Sequence, residues 1–101
     1  MDLQPPAATF IAECYWPGVR EEQVEAGAVR ARQVAGELTR DGQRVEFTGS
    51  VVVPGDEVVF YLFEGPSLDA VRTACERAGL PFERIVESIW NTAAATGEVA
   101  P

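Results

Sequence analysis

The sequence contains no histidine and no lysine, and each absence excludes a class of chemistry. Without histidine there is no His-based catalytic triad, no imidazole metal ligand and no ordinary pH switch. Without lysine no Schiff base can form. The sequence also lacks the motifs that bind phosphates, activate a serine or hold zinc. These are GxGxxG after a strand, GxxxxGK[ST], GxSxG and HExxH. We therefore predict no catalytic residues, no metal ligands and no cofactor.

Basic residues are scarce: eight arginines face 16 acidic residues, giving a net charge of −8. A nucleic-acid-binding surface needs an excess of positive charge, and an anionic membrane attracts basic segments. No apolar run approaches the length of a membrane span, and residues 1–8 lack the features of a signal peptide. We expect no nucleic-acid partner, no membrane partner and a cytoplasmic location.

There are only two cysteines, Cys14 and Cys75, and they lie far apart in the chain. Their spacing matches neither a CxxC redox pair nor a zinc site. Each lies in an apolar pattern, where a thiol behaves as a small hydrophobic side chain. We predict buried free thiols, with a disulfide and a reactive thiol as the open alternatives.

At 101 residues the chain has the length of one domain. Pro5 and Pro6 fall in an N-terminal stretch without apolar periodicity, and residues 92–101 are small and polar. Such ends are typical of flexible tails. The predicted organisation is a tail at 1–7, a domain at 8–91 and a second tail at 92–101.

Apolar periodicity within the domain predicts four strands and two helices. The strands cover 9–16, 45–53, 57–64 and 82–90, and the middle two form a hairpin around Pro54-Gly55-Asp56. One helix covers 19–38. The other begins after Ser67, a good N-cap, and ends at Gly79. We expect the buried faces of the helices to be formed by Val24, Ala28, Ala31, Ala35 and Leu38 in the first, and by Leu68, Val71, Ala74 or Cys75, and Ala78 in the second.

This β-α-β-β-α-β order predicts an α+β fold, the ferredoxin-like plait. Its four-stranded antiparallel sheet carries both helices on one face. In the third strand, both alternating sets of side chains are apolar. One set is Val58, Phe60 and Leu62, and the other is Val59, Tyr61 and Phe63. The sequence thus leaves open which set faces the helices, but either choice leaves an apolar sheet face.

An exposed apolar face of this size is typical of an interface or a ligand groove. We predict a homodimer that pairs through the sheet face, with a small apolar ligand as a possible occupant. The polar residues among these apolar strands are the candidate site: Glu13, Tyr15, Tyr61 and Glu87. Carboxylates beside apolar walls suit proton transfer or cation binding, although solvated carboxylates and satisfied tyrosines are the simpler interpretation.

Residues 60–88, FYLFEGPSLDAVRTACERAGLPFERIVES, resemble the second half of the DUF4242 family, whose members include a nickel-responsive, nickel-binding protein. In the first half, Phe10, Glu13 and Pro17-Gly18 resemble the opening strand and turn of the family. The resemblance implies a ferredoxin-like plait, dimers and metal binding. Where family members often carry histidine or cysteine, this sequence has Gly49, Ala74 and Tyr61.

The sequence and the resemblance together predict a small dimeric ligand- or partner-binding protein without evident catalytic machinery. Two alternatives remain. One is a cofactor-free dimeric α/β-barrel enzyme in which a carboxylate or Tyr61 moves a proton on a hydrophobic substrate. The other is a divalent-metal-binding protein with altered ligands, such as Glu13 and Glu87.

Overall fold

The computed structural model describes residues 8–89, which form a four-stranded antiparallel sheet with two helices on one face. The elements are β1 (Ala8–Tyr15), α1 (Glu21–Arg40), β2 (Glu46–Val53), β3 (Val58–Gly65), α2 (Leu68–Arg77) and β4 (Arg84–Ser88). The strand order is β2-β3-β1-β4. The predicted ferredoxin-like plait is confirmed. The predicted tails, and Trp90 at the predicted end of β4, lie outside the described residues.

The first helix begins two residues later than predicted because Arg20 is still extended, with φ −107° and ψ 155°. The Gln23 side chain accepts a hydrogen bond from the Arg20 backbone N–H (2.8 Å), which fixes this start. At its other end, the hydroxyl of Thr39 donates to the Val45 carbonyl (2.9 Å). This contact closes the connection from α1 to β2.

The second helix has the predicted cap, since Ser67 Oγ accepts from the Ala70 N–H at 3.1 Å. Gly79 adopts the predicted left-handed conformation, with φ 69°. Leu68 departs from the prediction, since it is 38% exposed, whereas Ala70 and Val71 in the same turn of α2 are buried. Val71, Ala74, Cys75 and Ala78 form the buried stripe instead.

The predicted hairpin between β2 and β3 is present, but its turn is a short 3-10 segment, Pro54–Asp56. Glu57, predicted to begin β3, instead adopts a left-handed conformation with φ 55°. Its carboxylate accepts from the Gly18 N–H (3.2 Å), and its carbonyl accepts from the Trp16 N–H (2.7 Å). These two contacts hold a conformation that a non-glycine residue rarely adopts.

The hydrophobic core lies between the helices and one face of the sheet. Phe10, Ala12 and Cys14 supply it from β1, and Val59, Tyr61 and Phe63 supply it from β3. Their opposite neighbours along each strand point away from the helices, since side chains alternate across a strand. Within residues 8–89, neither helix is long and apolar enough to cross a membrane.

Candidate binding surface on the open sheet face

The side of the sheet turned away from the helices, here called the open face, is covered by no element among residues 8–89. Strand register places its side chains in rows that cross the sheet. In the central row Leu62 lies opposite Gly49 on one side and Ile11 on the other, and Ile11 lies opposite Val86. All four residues are half-buried.

A second row runs beside the first and ends in a pair of charges. Val51 lies opposite Phe60, Phe60 opposite Glu13, and Glu13 opposite Arg84. Arg84 Nε donates to Glu13 Oε1 at 2.8 Å. The Arg84 side chain remains 68% exposed, whereas that of Glu13 is 27% exposed. This hydrogen bond and the attraction of the carboxylate raise the pKa of Arg84.

A third row completes an apolar surface that reaches the hairpin. Val53 lies opposite Val58, and Val58 lies opposite Tyr15. Tyr15 on the central strand β1 is 53% exposed and Val51 on the edge strand β2 is 47% exposed, so this apolar surface is open to solvent on both strands. Large contiguous patches of this kind are typical of interaction sites.

The structure divides the four predicted site residues between the two faces of the sheet. Glu13 and Tyr15 lie on the open face, two positions apart on β1. Glu87 lies opposite Phe10, which belongs to the helix-covered face, and it is exposed at the edge of the sheet. Tyr61 is fully buried under α1. The four side chains therefore do not form one site.

Tyr61 has a structural contact that accounts for its burial. Its hydroxyl donates to the carbonyl of Val24 in α1 at 3.2 Å. Loss of water around the ring raises the pKa of Tyr61 to about 12, and nearby Cys14 adds to this effect. A phenol with this pKa stays protonated at neutral pH and is a poor general base.

The two cysteines are free and buried, as predicted. Burial is the main cause that raises the pKa of Cys14 to about 12, with a smaller contribution from Glu83. Burial likewise raises the pKa of Cys75 to about 12. Since the thiolate is the nucleophile and the metal ligand, neither group is reactive at neutral pH.

The sequence did not identify Ile11, Leu62, Val86 and Arg84 as parts of one surface. Both alternating sets of β3 are apolar, so the pattern of that strand does not reveal which set faces out. Glu13 was the available signal. Because a carboxylate is rarely buried, its position among apolar residues of β1 predicts that the alternating side chains on its side of the strand face solvent. The place of Arg84 opposite Glu13 depends on strand pairing.

A cavity of about 340 Å³ lies away from this surface, between the start of α1 and the hairpin. Val19, Val24, Val52 and Pro54 form its apolar wall, with Arg20 and Glu57 among its polar lining residues. Its titratable groups are exposed rather than buried. Its lining residues therefore include no buried acid or base of the kind that is typical of an active site.

The fold and the open face define a small ferredoxin-like protein with an uncovered apolar sheet. A family model for nickel-responsive proteins of the SCO4226-like type matches residues 10–87, so the chain belongs to this family. This match confirms the resemblance to DUF4242. Among solved structures, SCO4226 from Streptomyces coelicolor A3(2) is 27% identical, with a TM-score of 0.64. The alignment covers 84% of this chain and 100% of that one. No curated protein matches the chain.

Proposed function

We propose that this protein is a non-catalytic binding module that acts as a homodimer through the open face of its sheet. The observation that carries the proposal is the apolar surface of Ile11, Phe60, Leu62 and Val86, which no described element covers. Removing such a surface from water stabilises an association by roughly 25 cal/mol per Å² of apolar area, before the cost of association is subtracted.

The charges on the open face support a second copy as the occupant. Glu13 and Arg84 form an ion pair within one copy, and the Arg84 side chain still remains 68% exposed. In a two-fold arrangement of two such faces, Arg84 of each copy can approach Glu13 of the other. Charges that match in this way favour one orientation of the two subunits over others.

Nickel does not fit the donor set of this chain. Imidazole is a ligand that suits nickel, and the sequence has no histidine. Both thiols are buried and protonated at neutral pH. Among residues 8–89, no three or more Cys, Asp or Glu side chains are grouped so that they could hold a metal ion. We therefore derive no step of the proposed function through a metal.

No observation on the described residues favours the enzyme alternative. The titratable groups with strongly raised pKa values, Cys14, Tyr61 and Cys75, lie in the core rather than at a cavity. We also propose a cytoplasmic location, which the two free thiols support, since free thiols persist in reducing compartments.

The test is the mass of the protein in solution, measured by light scattering after size-exclusion chromatography. We expect Leu62→Glu to weaken the open-face dimer about 100-fold or more, because the new carboxylate would be buried without a partner. Val29→Glu is the matched control, since Val29 is 57% exposed on α1, away from the sheet. An unchanged mass for Leu62→Glu would refute the proposal.

A further inference from the structure

We propose that the outer edge of β2 is a second interface, at which β2 pairs antiparallel with β2 of another copy. This inference concerns an edge of the sheet and adds to the open-face dimer proposed above. Strand β2 lies at the end of the strand order, so its outer backbone groups pair with no described strand. Such an edge is a template for another strand.

The two edges of the sheet differ in how they are protected. Strand β4 is five residues long and carries Arg84 and Glu87, and short, charged edge strands resist pairing. Strand β2 is eight residues long, and its second half carries no charge. Val51 is 47% exposed on one face of the sheet and Val52 is 39% exposed on the other. A strand added to this edge would cover both valines.

The regular part of β2 runs from Gly49 to Val53, because an irregularity in the pairing with β3 falls between Phe47 and Gly49. In a two-fold antiparallel pair of β2 strands, each residue faces a residue whose side chain points to the same side of the sheet. The open faces of both copies therefore lie on the same side of the joined sheet. With Ser50 on the axis, Val51 lies beside Gly49 of the second copy. The space above Gly49 is empty, with nothing within 4 Å of an added Cβ.

Charge complementarity favours a second copy over an unrelated strand. Arg44 precedes β2 and Asp56 follows it, and both are exposed with no ion pair to residues 8–89. Antiparallel pairing brings the start of one β2 beside the end of the other. Arg44 of each copy then approaches Asp56 of its neighbour, which gives two equivalent ion pairs.

Together the two interfaces predict a tetramer. Edge pairing would join two sheets into one of eight strands, and two such sheets would stack through their open faces. This arrangement is a closed assembly with two-fold axes, a common symmetry of soluble tetramers. Because each chain has a net charge of −8, the assembly requires moderate salt to screen repulsion.

The experiment compares the masses of four proteins at 0.15 M salt, by light scattering and native mass spectrometry: the unmodified chain, Leu62→Glu, Val52→Lys and the double variant. Val52 points to the helix side of the sheet, opposite Val59, so Val52→Lys leaves the open face unchanged. Val29→Lys is the matched control for an added lysine. We expect the unmodified chain to be a tetramer and the double variant to be a monomer. Leu62→Glu should leave a dimer joined at the β2 edge, and Val52→Lys a dimer joined at the open face.

Failure of either interface gives a different result. If only the open face pairs, the unmodified chain is a dimer, Val52→Lys leaves it a dimer and Leu62→Glu makes it a monomer; the edge inference is then wrong. If only the edge pairs, the unmodified dimer resists Leu62→Glu and dissociates with Val52→Lys. The proposed function is then wrong and the inference stands. A monomeric unmodified chain refutes both.

Exchanging the charges of Arg44 and Asp56 tests whether the strand that pairs with β2 belongs to a second copy, and it leaves the apolar residues unchanged. Arg44→Asp or Asp56→Arg alone should weaken the edge contact roughly tenfold, because each places like charges together at two points. The double variant Arg44→Asp with Asp56→Arg should restore it. Single and double variants that all associate like the unmodified chain would overturn the proposed pairing.

Discussion

At the scale of single residues, the contact between Tyr61 and α1 shows how a side chain on the sheet fixes the position of a helix. The Tyr61 hydroxyl reaches the Val24 carbonyl because Gly27 lacks a side chain. A Cβ at Gly27 would lie 2.4 Å from that hydroxyl oxygen, which is closer than real contacts allow. The glycine lowers helix propensity but permits the close approach of helix and sheet.

We expect Gly27→Ala to lower the free energy of unfolding by about 1–3 kcal/mol, because overpacking outweighs the better helix propensity. Gly36→Ala on the same helix is the matched control. Nothing lies within 4 Å of its added Cβ, so that change should raise stability by about 0.5–1 kcal/mol. Urea unfolding of both variants measures the difference, and equal effects would show that Tyr61 does not restrict position 27.

At the scale of elements, the pairing of β2 with β3 contains an unfavourable contact at one end. Glu46 lies directly opposite Glu64, and like charges in facing positions destabilise a sheet. The apolar pairs further along, such as Val51 with Phe60, hold the hairpin together despite it. These apolar pairs and the turn fix the register of β2 against β3, and the repulsion between the two carboxylates does not shift it.

We expect Glu46→Arg to raise the free energy of unfolding by about 0.5 kcal/mol, because a repulsive facing pair becomes an attractive one. Thermal unfolding at low salt should show the gain, and 1 M salt should remove most of it. Glu76→Arg, at an exposed position of α2, is the control for a change in net charge. A gain that persists unchanged at 1 M salt would argue against an electrostatic origin.

At the scale of the whole molecule, the buried acidic groups make the fold sensitive to high pH. Burial raises the pKa values of Cys14 and Cys75 from the ordinary 9.0 of an exposed thiol to about 12 in the folded protein. Between these values the folded chain retains protons that the unfolded chain has released. Stability from these groups is therefore complete below about pH 9 and is lost as the pH rises toward 12.

We expect the free energy of unfolding to fall steeply between pH 9.5 and 11. The maximum slope is about 1.4 kcal/mol per pH unit for each thiol, reached where the thiol is ionised in the unfolded chain and protonated in the folded protein. Cys14→Ala combined with Cys75→Ala should lower stability at pH 7, because it leaves cavities, and should also flatten the slope above pH 9. Tyr61 contributes a remaining slope above pH 10. An identical slope in the variant would exclude the thiols as its cause.

The sequence by itself determined the order of elements, the caps at Ser67 and Gly79, and the presence of an apolar sheet face. These features depend on local periodicity and turn chemistry, which neighbouring residues decide. Only the tertiary structure decided that Tyr61 is buried and Leu62 faces out, because both sets of β3 are apolar and helix packing selects between them. It also decided that Arg84 meets Glu13, since strand register joins residues that are distant in the chain.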